Sequence, residues 1–348
     1  MRTLRFGLVL MLLALLLIPA AGQDTVLTVV TYDSFSLSED VLEAFETETG
    51  IRVEILRLAD AGAMVNQAIL TRDNPLGDVL YGIDNTFLTR GLNGDLFEAY
   101  ESPGLADVPD AFVLDDEFRV TPVAYGDVCL NYDRAYFEAN DLPLPESLQD
   151  LTAPEYAGLL VVPSPATSSP GLAFLLTTIA AFGEDGDYTY LDYWADLVAN
   201  DVLVVDGWSQ AYYGAFSVSG EGDRPLVLSY ASSPPVEVYF ASEPVEEAPT
   251  GAIVADGMCF RQIEFVGILK GTDQPEAARQ FIDFALSLPF QQDLPLQMFV
   301  YPVNENAELP EIFVEYSAVP ENPVTVAIED IEESREDWIR NWTQTVLR

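Results

Sequence analysis

Between residues 26 and 85 short apolar runs alternate with stretches of helical spacing, and that alternation leaves few folds open. Val26-Leu27-Thr28-Val29-Val30-Thr31-Tyr32 is rich in β-branched residues and reads as a buried strand. Asp33-Ser34-Phe35-Ser36 supplies a turn, and Ser38 opens a helix in which Leu42, Phe45 and Glu46 recur at helical spacing up to Gly50. Ile51 to Leu56 alternates as a second strand, Ala61 to Arg72 forms a second helix, and Asp78 to Gly82 is a third strand leading to Ile83-Asp84-Asn85. Strand, helix, strand, helix, strand is the order of a parallel sheet in an α/β protein. Ligands of such sheets sit beyond the carboxyl ends of the strands. Tyr32-Asp33-Ser34 and Asp84-Asn85 both fall there.

At 348 residues the chain has room for two domains. Val120 to Asn131 changes character, with β-branched alternation around Gly126, and reads as a crossover into a second domain; Cys259 to Leu269 alternates again and reads as the return. Between them lie strands at Leu159 to Val162, Val202 to Val205 and Leu226 to Ser229, and a helix from Tyr190 to Asn200 with Leu191, Trp194, Leu197 and Val198 on one face. An amphipathic helix from Pro275 to Leu288, an extended Tyr301-Pro302-Val303 and a helix from Glu332 to Val346 complete the chain. Trp338 and Trp342 share one face of that last helix and read as core.

Pro165-Ala166-Thr167-Ser168-Ser169-Pro170-Gly171 precedes the apolar run Leu172 to Phe182, which stops at Gly183. The spacing places Ser169 as N-cap, Pro170 at the first helical position and Gly183 past the end. An ordinary capped helix accounts for this, and so does a helix start whose free N–H groups hold an anion or a polar ligand group.

Residues 1–22 carry Arg2 and Arg5, an apolar run from Phe6 to Ile18, then Pro19-Ala20-Ala21-Gly22, the pattern of a secretory signal peptide. No Cys follows the apolar run, so the expectation is export across the cytoplasmic membrane to the periplasm or beyond, without a cysteine-linked lipid anchor. Lys and Arg number 15 against 57 Asp and Glu, a net charge of −42, which repels nucleic acid and anionic lipid and favours neutral or cationic partners. The sequence has no histidine, which removes Ser-His-Asp and Cys-His catalysis and imidazole metal sites. Cys129 and Cys259 are the two cysteines, an even count that permits one disulfide in an exported protein; side-by-side crossovers would bring them together.

The order of these pieces resembles the periplasmic thiamine-binding proteins of ABC importers, within the larger family of extracellular solute-binding proteins. The likeness runs through Thr31-Tyr32-Asp33-Ser34-Phe35, Gly82-Ile83-Asp84-Asn85, Thr167-Ser168-Ser169-Pro170-Gly171-Leu172, Gly207-Trp208-Ser209-Gln210-Ala211-Tyr212, Leu228-Ser229-Tyr230 with Ser233-Pro234, and Tyr301-Pro302-Val303 before a Trp-bearing helix. It implies a two-lobed α/β periplasmic binding protein fold, type II-like, each lobe a mixed sheet flanked by helices and joined by two crossover strands. Lobe 1 would be residues 23–124 with 265–348, and lobe 2 residues 125–264. The resemblance implies Tyr32, Asp84, Ser168, Trp208 and Tyr230 as ligand residues, with Ser169, Phe299 and Tyr301 beside them. It departs from the family where Ser36 to Asp40 lacks a Trp, where Phe299 stands for a Trp, and where Val236 or Tyr239 stands for a Tyr.

The residues agree on the essentials. A cationic thiazolium suits an aromatic pocket, each ring contributing on the order of 0.5–2 kcal/mol. Trp208 reads either as a pocket indole between Asp206 and Ser209 or as core; Asp84 reads either as a helix cap, a ligand contact, or both. Asp127 and Glu264 lie on the crossovers and could face a cleft. The expectation is a monomeric solute-binding protein without a cofactor or catalytic activity, taking thiamine or a thiamine phosphate to the membrane subunits of an ABC importer. A polyamine or ferric ion is the alternative within the fold, and a secreted carboxylate-based hydrolase is the alternative outside it.

Overall fold

A computed structural model describes residues 25–347; the signal-peptide reading of residues 1–22 lies outside the described residues. The strands, in chain order, are β1 Thr25–Thr31, β2 Ile51–Arg57, β3 Val79–Asp84, β4 Phe97–Glu98, β5 Thr121–Asp133, β6 Leu160–Pro163, β7 Leu203–Val205, β8 Leu226–Tyr230, β9 Thr250–Ile253, β10 Phe260–Leu269 and β11 Tyr301–Pro302. They form one continuous sheet in the order β2-β1-β3-β10-β5-β8-β6-β7, with β4 on β10 and both β9 and β11 on β5.

Burial follows position in that order. β2, at the edge, keeps the alternation of Ile51-Arg52-Val53-Glu54-Ile55 because one face meets water, whereas β3 is buried at every residue. β1 pairs in parallel with β2 and β3, and β6 pairs in parallel with β7 and β8. Between these two parallel halves run β5 and β10, antiparallel to each other from Phe260 opposite Val128 to Val266 opposite Thr121. These are the two crossovers expected at Val120–Asn131 and Cys259–Leu269. Their pairing sets Cys129 beside Cys259, and the two form a disulfide with Cα atoms 4.5 Å apart, at a sequence separation of 130.

Two glycines are required by the packing. Gly82 in β3 has φ +106°, and a Cβ there would lie 2.3 Å from the Tyr32 ring, so the tyrosine fits only over a glycine. Gly171, at the start of the helix Ser169–Phe182, would put a Cβ 2.5 Å from the Pro163 carbonyl oxygen, so helix and strand could not otherwise approach as they do.

The helix boundaries hold two corrections. The N-cap of Ser169–Phe182 is Ser168, with Pro170 inside the first turn; Ser169 is the first helical residue, so its hydroxyl is free to bond elsewhere. On the helix Tyr190–Ala199 the buried face is Tyr190, Tyr193, Trp194 and Leu197, while Val198 is exposed, because the aromatic rings bury more area than the valine. The C-terminal helix Ile328–Val346 buries Trp338 and Trp342, and Trp342 meets Trp194 edge-on with centroids 5.4 Å apart. That contact joins the last helix to the helices of the β6–β8 half. No described helix is long and apolar enough to cross a membrane.

Candidate functional site

The carboxyl ends of the strands in both halves of the sheet face one cavity of about 460 Å³. Five of the residues implied by the sequence line it: Tyr32, Ser169, Trp208, Tyr230 and Phe299. Each comes from a different place in the chain. Tyr32 follows β1 and donates its hydroxyl to Glu264 Oε1 at 2.6 Å. Tyr230 ends β8 and reaches Gln262 Oε1 at 3.3 Å. Trp208 leads into a π-helical turn, Gln210–Ala215; its Nε1 donates to Ser229 Oγ at 2.9 Å, and its ring stacks on Tyr212 at 5.0 Å and 16°. Phe299 holds φ +53°, a left-handed conformation rare for an aromatic residue, and its carbonyl accepts from Ser232 Oγ at 2.7 Å.

Asp84, Ser168 and Tyr301 lie behind the wall. Asp84 is fully buried; its Oδ1 accepts from the Thr86 amide at 2.8 Å and the Thr86 hydroxyl at 2.6 Å, and its Oδ2 accepts from the Ser169 hydroxyl. It therefore organises the turn after β3 and ties that turn to the helix start of the other half. Ser168 is fully buried. Tyr301 stacks on Tyr125 at 5.2 Å and bonds Ser317 through its hydroxyl, so it backs a cavity residue without facing the space itself.

Four further residues complete the wall. Tyr125 on β5 is sandwiched between Phe112 and Tyr301, with the Arg261 guanidinium 5.0 Å from its centroid. Tyr213, half exposed, stands edge-on to Trp208 at 5.3 Å. Asp60 caps the helix Ala61–Leu70: Oδ1 accepts from the Ala61 amide at 2.7 Å and Oδ2 from the Trp208 amide at 2.8 Å. Glu264 sits on β10 opposite Asp84. Sequence reasoning placed Glu264 on a crossover and missed Tyr213, which directly follows the Gly207–Tyr212 motif; nothing local marked Tyr125 or Asp60.

The electrostatics are one-sided. The lining contains the carboxyl groups of Asp33, Asp60 and Glu264, and no Lys or Arg among the described residues. Burial pushes the Glu264 carboxyl up to about 7, with the Asp84 charge adding to the rise and the Tyr32 hydroxyl opposing it. Burial also pushes Asp60 up to about 6 against the stabilising bond from the Trp208 amide. Asp84 is raised by burial too, opposed by its bonds from Ser169 and Thr86. Asp127 faces away from this space: it holds Arg261 in a two-point pair at 2.6 and 3.0 Å. What the walls can do is surround a flat organic group with rings and offset a positive charge.

The two sides are also fastened to each other. Besides the Asp60–Trp208 and Asp84–Ser169 bonds, the Ala63 amide donates to the Thr167 carbonyl at 3.1 Å. The start of the helix Ala61–Leu70 thus touches the segment before Ser168.

Known proteins are similar to this chain in sequence and fold. The thiamine-binding periplasmic protein of Salmonella typhimurium is 31% identical over 97% of this chain and 98% of its own length. That of Escherichia coli is 30% identical over 93% of this chain and 94% of its own. A solved periplasmic thiamin binding protein superposes with a TM-score of 0.81 at 28% identity, covering 93% of this chain and 96% of that one. The apo ferric ion-binding protein A of Pasteurella haemolytica superposes with a TM-score of 0.72 at 20% identity over 92% of this chain and 98% of that one, a likeness of fold alone. The fold is the two-lobed α/β fold of periplasmic binding proteins. The profile of the bacterial extracellular solute-binding proteins matches residues 74–320, and the chain belongs to that family.

Proposed function

We propose that this chain captures thiamine or a thiamine phosphate between two lobes, residues 23–124 with 265–348 and residues 125–264, and delivers it to the membrane subunits of an ABC importer. It works as an exported, monomeric binding protein without a cofactor. The observation that carries the reading is a cavity walled by Tyr32, Tyr125, Trp208, Tyr213 and Tyr230 that contains three carboxyl groups and no lysine or arginine among the described residues. A permanent organic cation with flat rings meets both features: rings stack on rings, and the charge is offset without a metal or a bound counter-ion. The thiamine-binding relatives from Salmonella typhimurium and Escherichia coli, matched over nearly their whole length, support the same ligand. The phosphate of a thiamine phosphate would lie toward Ser169 and Pro170, where the helix dipole is positive.

Calorimetric titration of the mature protein with thiamine, thiamine phosphate, spermidine and Fe(III) tests this. One thiamine or thiamine phosphate per chain is expected to bind with much higher affinity than spermidine or iron. Preference for spermidine or for Fe(III) would overturn the reading.

A further inference from the structure

We propose that Glu264 is the counter-charge for the ligand's cation and that it carries a proton until the cation arrives, so that capture exchanges one positive charge for another. The inference rests on the reading of the cavity as a site for an organic cation. Its geometric basis is the surroundings of Glu264. The side chain lies on β10, at the boundary between the two halves of the sheet, and lines the cavity although the residue is only 9% exposed. The Tyr32 hydroxyl donates to it at 2.6 Å, and the buried Tyr81 phenol stands beside it.

Every element packed against this carboxyl brings an acid or a neutral group. From β3 come Asp84, opposite it in register, and the buried phenol of Tyr81. From β5 comes Ala124. From the end of β8 comes the Tyr230 phenol, itself pushed well above its ordinary range by burial and by the nearby acids. On β10 itself the neighbour lining the cavity is Gln262, and Arg261 is already committed to Asp127. Beyond Tyr32 the cavity adds Asp33 and Asp60. An ionised Glu264 would therefore sit in a poorly solvated place with acids on two sides and no cation to offset it. A proton neutralises it when the site is unoccupied, and a thiazolium or a comparable fixed cation does so when the site is filled. A group whose pKa is pushed up to about 7 changes state in the neutral range, so the exchange is visible there. Asp60, at about 6, is mostly ionised by then and contributes less.

The test is calorimetric titration with thiamine at pH 7 in buffers of contrasting ionisation enthalpy, phosphate and Tris, repeated at pH 9, for the wild type and for Glu264→Gln. The expected result is release on the order of half a proton per bound thiamine at pH 7, falling toward zero at pH 9. In Glu264→Gln, which keeps an oxygen for the Tyr32 hydroxyl, release at pH 7 is abolished and affinity no longer rises between pH 6 and 8. Tight binding by the wild type with an enthalpy independent of buffer at pH 7 overturns the exchange and leaves the ligand reading standing. So does proton release that persists undiminished in Glu264→Gln. No binding of thiamine at any pH overturns both.

Discussion

At the scale of single residues, the rings that line the cavity are held by neighbours behind the wall. Trp208 is fixed by the Ser229 hydroxyl on its indole N–H and by the Tyr212 ring behind it, so one face stays free for a bound ring. Trp208→Leu keeps apolar volume and removes the indole; thiamine affinity in calorimetry is expected to fall roughly tenfold or more, the ~1–2 kcal/mol of a desolvated cation–π contact. Tyr213 lines the cavity half exposed and edge-on to Trp208. Tyr213→Ala should speed thiamine dissociation several-fold in stopped-flow fluorescence while leaving the melting temperature nearly unchanged; unchanged dissociation would remove Tyr213 from the site. Tyr32, Trp208 and Tyr230 could be singled out from sequence because each follows a strand, Ser169 because it stands at a helix start, and Phe299 through the family resemblance alone. Tyr125 and Asp60 could not. Tyr125 reaches the cavity because β5 pairs with β10 and β11, and Asp60 because its helix meets the Trp208 amide 148 residues away. Both placements depend on contacts that no local pattern encodes.

At the scale of elements, the crossovers and the helix start at Ser169 hold the site in shape. β5 and β10 were legible from their apolar and β-branched content, which suits strands buried in the middle of the sheet, and their register places Cys129 against Cys259. The helix Ser169–Phe182 was legible too, but its cap was not. Two adjacent serines offered two starts, and the choice of Ser168 is decided by Asp84, a distant partner for the Ser169 hydroxyl. A double substitution Cys129→Ser and Cys259→Ser should cost up to about 5 kcal/mol by the chain-entropy account of a loop this long, read as a lower midpoint in denaturant. The buried acids of the crossover region predict an opposite effect of pH. Glu264 is raised from 4.5 to about 7, so its contribution to stability is full below 4.5 and is lost as pH rises through 7. Without ligand, Glu264→Gln should therefore melt higher than the wild type at pH 8, with the gap closing by pH 5. A gap that widens toward pH 5 would contradict the burial of that carboxyl.

At the scale of the whole molecule, a net charge of −42 favours solubility and works against compactness, because like charges crowd together on folding. Raising sodium chloride from low to moderate ionic strength is expected to raise the melting temperature by screening that repulsion. The same charge surrounds a cavity whose own wall is acidic, so a cation is drawn toward it from solution before any ring is touched. Among the bonds that join the two sides are those of Asp60 to the Trp208 amide, Asp84 to Ser169, Ala63 to Thr167 and Ser232 to the Phe299 carbonyl. The central claim is that these sides shut over a flat cation held by tyrosine and tryptophan rings. A crystal structure of the mature protein with thiamine tests it most directly. The account predicts the thiazolium and pyrimidine rings between Tyr32, Trp208 and Tyr230, with the cationic ring within reach of Glu264. Density for the ligand outside this cavity, or an undisturbed cavity beside bound thiamine elsewhere, would contradict it.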